Sequence, residues 1–105
     1  MHKALELFTA SPRIHNCAQA TACGLGHEEL YERLAACGGG KAPGGRCGAL
    51  YAAMLAAGET HAEEIGRRFA AELGSDKCAE LKRTLAIPCA RCVETAVKLA
   101  EELGR

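Results

Sequence analysis

Seven cysteines dominate the chemistry that this 105-residue sequence can offer: Cys17, Cys23, Cys37, Cys47, Cys78, Cys89 and Cys92. Seven is odd, so they cannot all pair within the chain. The N-terminal stretch MHKALELFTASPR mixes charges into its apolar pattern and lacks the continuous apolar region of a signal peptide. The expectation is therefore a cytoplasmic protein. In a reducing compartment, clustered thiols point to redox or metal chemistry more than to structural disulfides. The competing reading is that each free cysteine packs as a small hydrophobe.

Two stretches carry the strongest signal. In CGGGKAPGGRCGAL, residues 37–50, Cys47 stands at the expected start of a helix, beside Arg46 and downstream of Lys41. A helix N-terminus and nearby cations both favour thiolate over thiol. The glycines would let a second sulfur or another backbone come close. This makes Cys47 the expected most acidic thiol. A phosphate loop is excluded, because Gly40-Lys41 is followed by Ala42 and Ala35 stands where the first glycine is required. The second stretch is PCARC. Cys89 and Cys92 lie one turn apart at another expected helix start, where one thiol can attack and the other resolve, or both can ligate one metal. Val93 follows Cys92, so the covalent haem signature is absent.

The remaining chemistry is weaker. His15 stands two residues before Cys17 and could serve as ligand or base, although a surface position is expected, as for His2, His27 and His61. No second C-x-x-C accompanies the first, so a zinc ribbon is not indicated and any metal site must be assembled by tertiary contact. Thirteen basic residues balance thirteen acidic ones, which gives no field for nucleic acid or an anionic membrane. The longest apolar run, Cys47 to Gly58, is too short to span a bilayer.

The elements that must position these thiols are helical. Ala is abundant, Trp is absent and no stretch alternates at period two. Helices are expected over Lys3–Thr9, over Pro12–Cys23 from a Ser11-Pro12 start, and over His27–Cys37. A further helix runs from Arg46 to Ala57 with Gly58 as its stop. The next opens on a Thr60–Glu63 capping box, buries Ile65, Phe69 and Leu73, and ends at Gly74. A short helix follows from Ser75-Asp76 to Leu85. The last opens at Pro88, with Cys89, Cys92, Val93, Ala96, Val97, Ala100 and Leu103 on one face. The expected fold is a single all-α domain, a compact bundle of six or seven short helices with a glycine-rich loop before the central one.

KALELF with HNCAQA, then GGGKAPGGRCGALYAAMLAAG, ELGSDKCAELK and PCARCVETAVKLAEELG, resembles the redox-active C_GCAxxG_C_C family over nearly the whole chain. The resemblance implies a quartet of Cys17, Cys47, Cys78 and a fourth cysteine. Cys89 is preferred over Cys92, because family members often carry the cysteine a full turn before the helix's valine, here Val93. The sequence departs from the pattern at Ala52, where a glycine is expected, and in a shorter spacing before Cys78. Cys23, Cys37 and the spare cysteine of the last pair lie outside the quartet. A related domain in split-Soret cytochromes brings an iron–sulfur site into view.

Three functions follow as expectations. The first is thiol–disulfide or electron-transfer chemistry with a redox partner protein, using Cys47, Cys89 and Cys92. The second is zinc or an iron–sulfur cluster on Cys17, Cys47, Cys78 and Cys89, since four thiolates suit either. The third is a helical interaction module whose cysteines only pack.

Overall fold

A computed structural model describes residues 3–10, 15–37 and 43–103. The Ser11-Pro12 start signal, His2, and Gly38 to Lys41 of the glycine stretch lie outside the described residues. Five α-helices follow one another: α1 (Lys3–Thr9), α2 (Cys17–Gly24), α3 (Gly48–Ala57), α4 (Glu59–Leu73) and α5 (Cys89–Leu103). Single 3-10 turns occupy Glu28–Leu30 and Pro43–Gly45, and a π-helical turn occupies Glu80–Thr84. Among the described residues the sole extended pairing is an isolated bridge between Arg46 and Lys77. The all-α expectation is met.

The sequence GALYAAMLAA of α3 has no polar face, so a helix made of it must be covered on most sides. It packs against α2, α4 and α5, and Gly48, Ala49, Leu50, Ala52 and Ala53 are buried. Gly58, at φ +87°, both stops α3 and starts α4. Thr60 therefore lies inside α4 and caps nothing, which corrects the expected capping box. The apolar side of α4 is as expected, with Ile65, Phe69 and Leu73 in the core and Gly74 closing the helix in the left-handed region at φ +96°. The buried face of α5 comprises Cys92, Val93, Ala96, Val97 and Ala100, joined by Thr95 and Leu99.

The second helix begins later than expected. Asn16 caps it in a reciprocal box: its side chain accepts from the Gln19 N–H at 2.7 Å, and the Asn16 N–H donates to Gln19 Oε1 at 2.9 Å. Cys17 is thus the first residue of α2 and not an interior one. The same two amides staple the next segment. Asn16 Nδ2 donates to the Leu34 carbonyl at 3.0 Å, and Gln19 Nε2 donates to the Tyr31 carbonyl at 3.0 Å. That segment, expected as a continuous helix over His27–Cys37, is a 3-10 turn followed by further turns. Its Leu34 is nevertheless fully buried, in a small core with Ala18, Ala22 and Ala52.

Small residues set the helix crossings. A Cβ built on Gly24 would stand 2.3 Å from Ala4 Cβ and 2.5 Å from the Ala4 backbone, so α1 and α2 touch through a missing side chain. Gly24→Ala should therefore lower stability by about 1–3 kcal/mol. In urea the unfolding midpoint should fall while the slope stays unchanged. An unaltered midpoint would contradict this crossing.

Candidate functional site

Five of the seven cysteines meet. Cys17, Cys47, Cys78, Cys89 and Cys92 line one small cavity together with Gly48, Leu81 and Lys82. Each of the five sits at or near the start of a helical segment. Cys17 opens α2, Cys47 is the N-cap of α3, Cys78 leads into the π-turn, Cys89 opens α5, and Cys92 lies in the first turn of α5. Helix N-termini carry partial positive charge, so their convergence favours negative charge on sulfur.

Gly48 makes the meeting sterically feasible. A Cβ there would lie 2.6 Å from the Cys37 carbonyl oxygen and 3.0 Å from Cys17 Sγ. Its absence lets α3 approach α2 and the end of the 27–37 segment. On the other side, the Cys47 N–H donates to the Asp76 carbonyl at 2.8 Å, which ties the start of α3 to the strand-like passage before Cys78. Ser75 Oγ accepts from the Lys77 N–H at 3.0 Å and hydrogen-bonds to Glu80 at 3.0 Å, fixing the turn that delivers Cys78.

Burial divides the thiols. Cys47 and Cys92 are each 4% exposed, whereas Cys17 and Cys89 are half-buried. Cys47 and Cys92 share a side-chain hydrogen bond in which the Cys47 thiol donates. That contact, followed by burial, pushes Cys47 up; the Ala49 and Leu50 N–H groups act the other way but close no capping bond on its sulfur. The same contact lowers Cys92, against the opposing effects of burial and of charge at Cys89, Cys17 and Cys78. The expectation of Cys47 as the most acidic thiol is therefore corrected. It rested on a helix end and on cations, but Arg46 turns to Asp76, Nε to Oδ2 at 4.0 Å, and Lys41 lies outside the described residues. Within the pair, the negative charge belongs on Cys92.

Burial dominates at two other sulfurs. It raises Cys17 to about 11, with charge at Cys47 and Cys89 adding to the effect and Lys82 opposing it. It also raises Cys78, again against Lys82. Lys82 carries no signal in the sequence, yet it lines the cavity. Its ammonium is held protonated first by a hydrogen bond with Cys89, and then by charge at Cys89, Cys78 and Cys17.

The cavity measures only about 10 Å³, room for one water-sized sphere. Among the described residues no three His, Cys, Asp or Glu side chains are set to hold one metal ion. The donor set of Cys17, Cys47, Cys78 and Cys89 is chemically of the kind that holds zinc or a cluster, but these thiols are not grouped around one ion position.

The other candidates fall elsewhere. Cys23 is buried away from the cavity, raised by burial and by charge at Glu28. Cys37 contributes its carbonyl at Gly48 but is not among the cavity-lining residues. His15 is not the surface residue expected: it is half-buried, its Nδ1 has no hydrogen-bond partner, and its ring meets Tyr31 edge-on with centroids 5.3 Å apart. His27 pairs with Glu29 at 3.1 Å. Of the large hydrophobics among the described residues, Leu85 stands exposed, at 41%. Among those residues, too, no helix is long and apolar enough to cross a membrane.

These directions fix how stability responds to alkali. Below the ordinary thiol value of 9.0, Cys17 is neutral in both folded and unfolded chains, and stability is full. As pH rises towards about 11 the unfolded chain ionises first, so stability falls, by on the order of 2 kcal/mol for Cys17 alone. Cys78 acts in the same direction, while Cys92, being lowered, acts in the opposite one. The melting temperature of the reduced protein should drop across this window, and Cys17→Ala should lessen the drop. An alkaline response that is the same in the variant would contradict the burial of that sulfur.

No family model matches the chain, and no curated protein or solved structure is found similar to it.

Proposed function

We propose that this chain is a thiol–disulfide redox protein of a reducing, cytoplasmic setting, with Cys89 and Cys92 as its exchanging pair. The observation that carries the reading is the convergence of five thiols on one cavity, with the acidified Cys92 one turn behind the more accessible Cys89. The resemblance to the C_GCAxxG_C_C family points the same way. Packing alone would not require five cysteines to share one wall while two others sit apart.

The exchange runs as follows. Cys89, as thiolate, attacks one sulfur of a partner disulfide. A Cys89–partner bond forms, the partner's S–S bond breaks, and its second sulfur leaves with the electron pair and takes up a proton. The Cys92 thiolate then attacks Cys89 Sγ, forming the Cys89–Cys92 disulfide and releasing the partner's first sulfur as a thiolate, which is protonated. The protein loses two electrons as its two thiolates become a disulfide, the two leaving sulfurs take their protons from solvent, and the partner disulfide becomes two thiols. Cys47 donates its S–H to Cys92 and so keeps the resolving sulfur charged inside a buried site. Cys17 and Cys78 complete the wall as neutral thiols.

The test is an intact native mass spectrum of protein purified without oxygen, before and after mild oxidation. The mass should match the bare chain and fall by about two hydrogens per disulfide formed, recovering with reductant. Cys89→Ser or Cys92→Ser should abolish the first loss, while Cys23→Ala should leave it intact. A mass above the bare chain that corresponds to zinc, or to iron with sulfide, would replace this reading with the metal one. Oxidation that is indifferent to Cys89 and Cys92 would leave the cysteines as packing residues.

A further inference from the structure

Three of the residues that line the sulfur cavity, Cys17, Lys82 and Cys89, keep some exposure and form its rim, and Lys82 interacts with Cys89. Cys47 and Cys92 are sealed at 4% exposure, and Leu81 at 1%. Cys89 is half-buried, and Lys82 is exposed although it also lines the cavity. A space of about 10 Å³ admits no reactant larger than water, so exchange must begin at this rim.

The backbone goes to some trouble to place Lys82 there. It lies on the π-turn Glu80–Thr84, a rare geometry that recurs at functional sites, marked by the Leu85 N–H donating to the Glu80 carbonyl at 3.0 Å. The turn sends Leu81 inward and Lys82 to the cavity mouth. Ala86 then adopts φ +54°, a left-handed conformation that costs about 1–2 kcal/mol for a non-glycine residue. The chain folds back so that the Ile87 N–H donates to the Leu81 carbonyl at 2.7 Å, and Pro88 leads into Cys89. The result is a lysine from one turn facing the first cysteine of the next helix. It is the single cationic side chain among the described residues that line the cavity. The nearest carboxylate along the turn, Glu80, is held by Ser75.

We infer that Lys82 receives the reactant's negative charge, and that the reactant brought to Cys89 is a small disulfide bearing carboxylates. The inference rests on the thiol–disulfide reading above. Lys82 would act twice. Its ammonium attracts the anionic disulfide to the rim, and it offsets charge on the sulfur that leaves when Cys89 attacks. The bonds made and broken are those already given, with the dicarboxylate disulfide as oxidant and its two thiols as products.

The experiment compares second-order rates at which the reduced protein consumes two soluble disulfides, the dianionic dithiobis-nitrobenzoate and the dicationic cystamine, each normalised to its rate with a free small thiol. The dianion should be favoured by about five- to tenfold at low salt, the scale of one unit charge a few ångströms away in water. The preference should shrink as ionic strength rises. Lys82→Met should abolish it and Lys82→Arg should retain it, with matched circular dichroism and unfolding midpoints showing that both variants fold. A preference that survives in Lys82→Met overturns the inference while leaving the thiol reading in place. Failure of Cys89 to react with either disulfide overturns both.

Discussion

The sulfur site depends on a side chain that is not there. At Gly48 the α3 backbone comes so close to α2 that even a methyl group would press on Cys17 Sγ and on the Cys37 carbonyl. With that approach in place, the N-cap of α3 and the first residue of α2 share one wall of the cavity. The apolar, small-residue character of α3 then lets α5 close from another side, bringing Cys89 and Cys92. The order of causes runs from a glycine to a helix crossing, and from the crossing to a cluster of thiols assembled from segments remote in sequence.

Once the thiols are assembled, two opposing effects decide their character. The converging helix ends favour negative charge, but burial disfavours it, and burial wins at Cys17 and Cys78. The hydrogen bond between Cys47 and Cys92 settles the third case by leaving the proton on Cys47 and the charge on Cys92. The site therefore has an inner pair, sealed and unequal, and an outer sulfur beside an ammonium. In the proposed exchange, this division would separate contact with a partner from storage of the oxidising equivalent. Lys82 stands exposed at the mouth, on the π-turn that buries the leucine before it.

Much of the scaffold was legible from local pattern. The first helix matched its expected bounds, the apolar runs of α4 and α5 matched their buried faces, and Gly58 and Gly74 ended helices where their backbone freedom suggested. α2 starts later than Ser11-Pro12 suggests, because Asn16 and Gln19 carry a capping pattern of their own. Thr60 failed as a cap because a single glycine joins α3 to α4 and leaves no residues between them. At the site, the C-x-x-C spacing puts Cys89 and Cys92 one turn apart, whereas no local spacing joins Cys17, Cys47 and Cys78 to them. What the sequence concealed was tertiary: which thiol is buried against which, and that a lysine in a π-turn would face Cys89. Neither burial nor a π-turn has a local signature, so the raised Cys47 and the placement of Lys82 are features of the fold alone.

The central claim is that the cavity thiols form one redox unit in which Cys89 and Cys92 pair. The most direct measurement is a disulfide map of the protein after a single equivalent of a mild oxidant, read by proteolysis without reduction and mass spectrometry of the peptides. A dominant Cys89–Cys92 bond, with Cys23 and Cys37 still free, is the predicted result. Pairing that is scattered across all seven cysteines, or that recruits Cys23, would contradict the account.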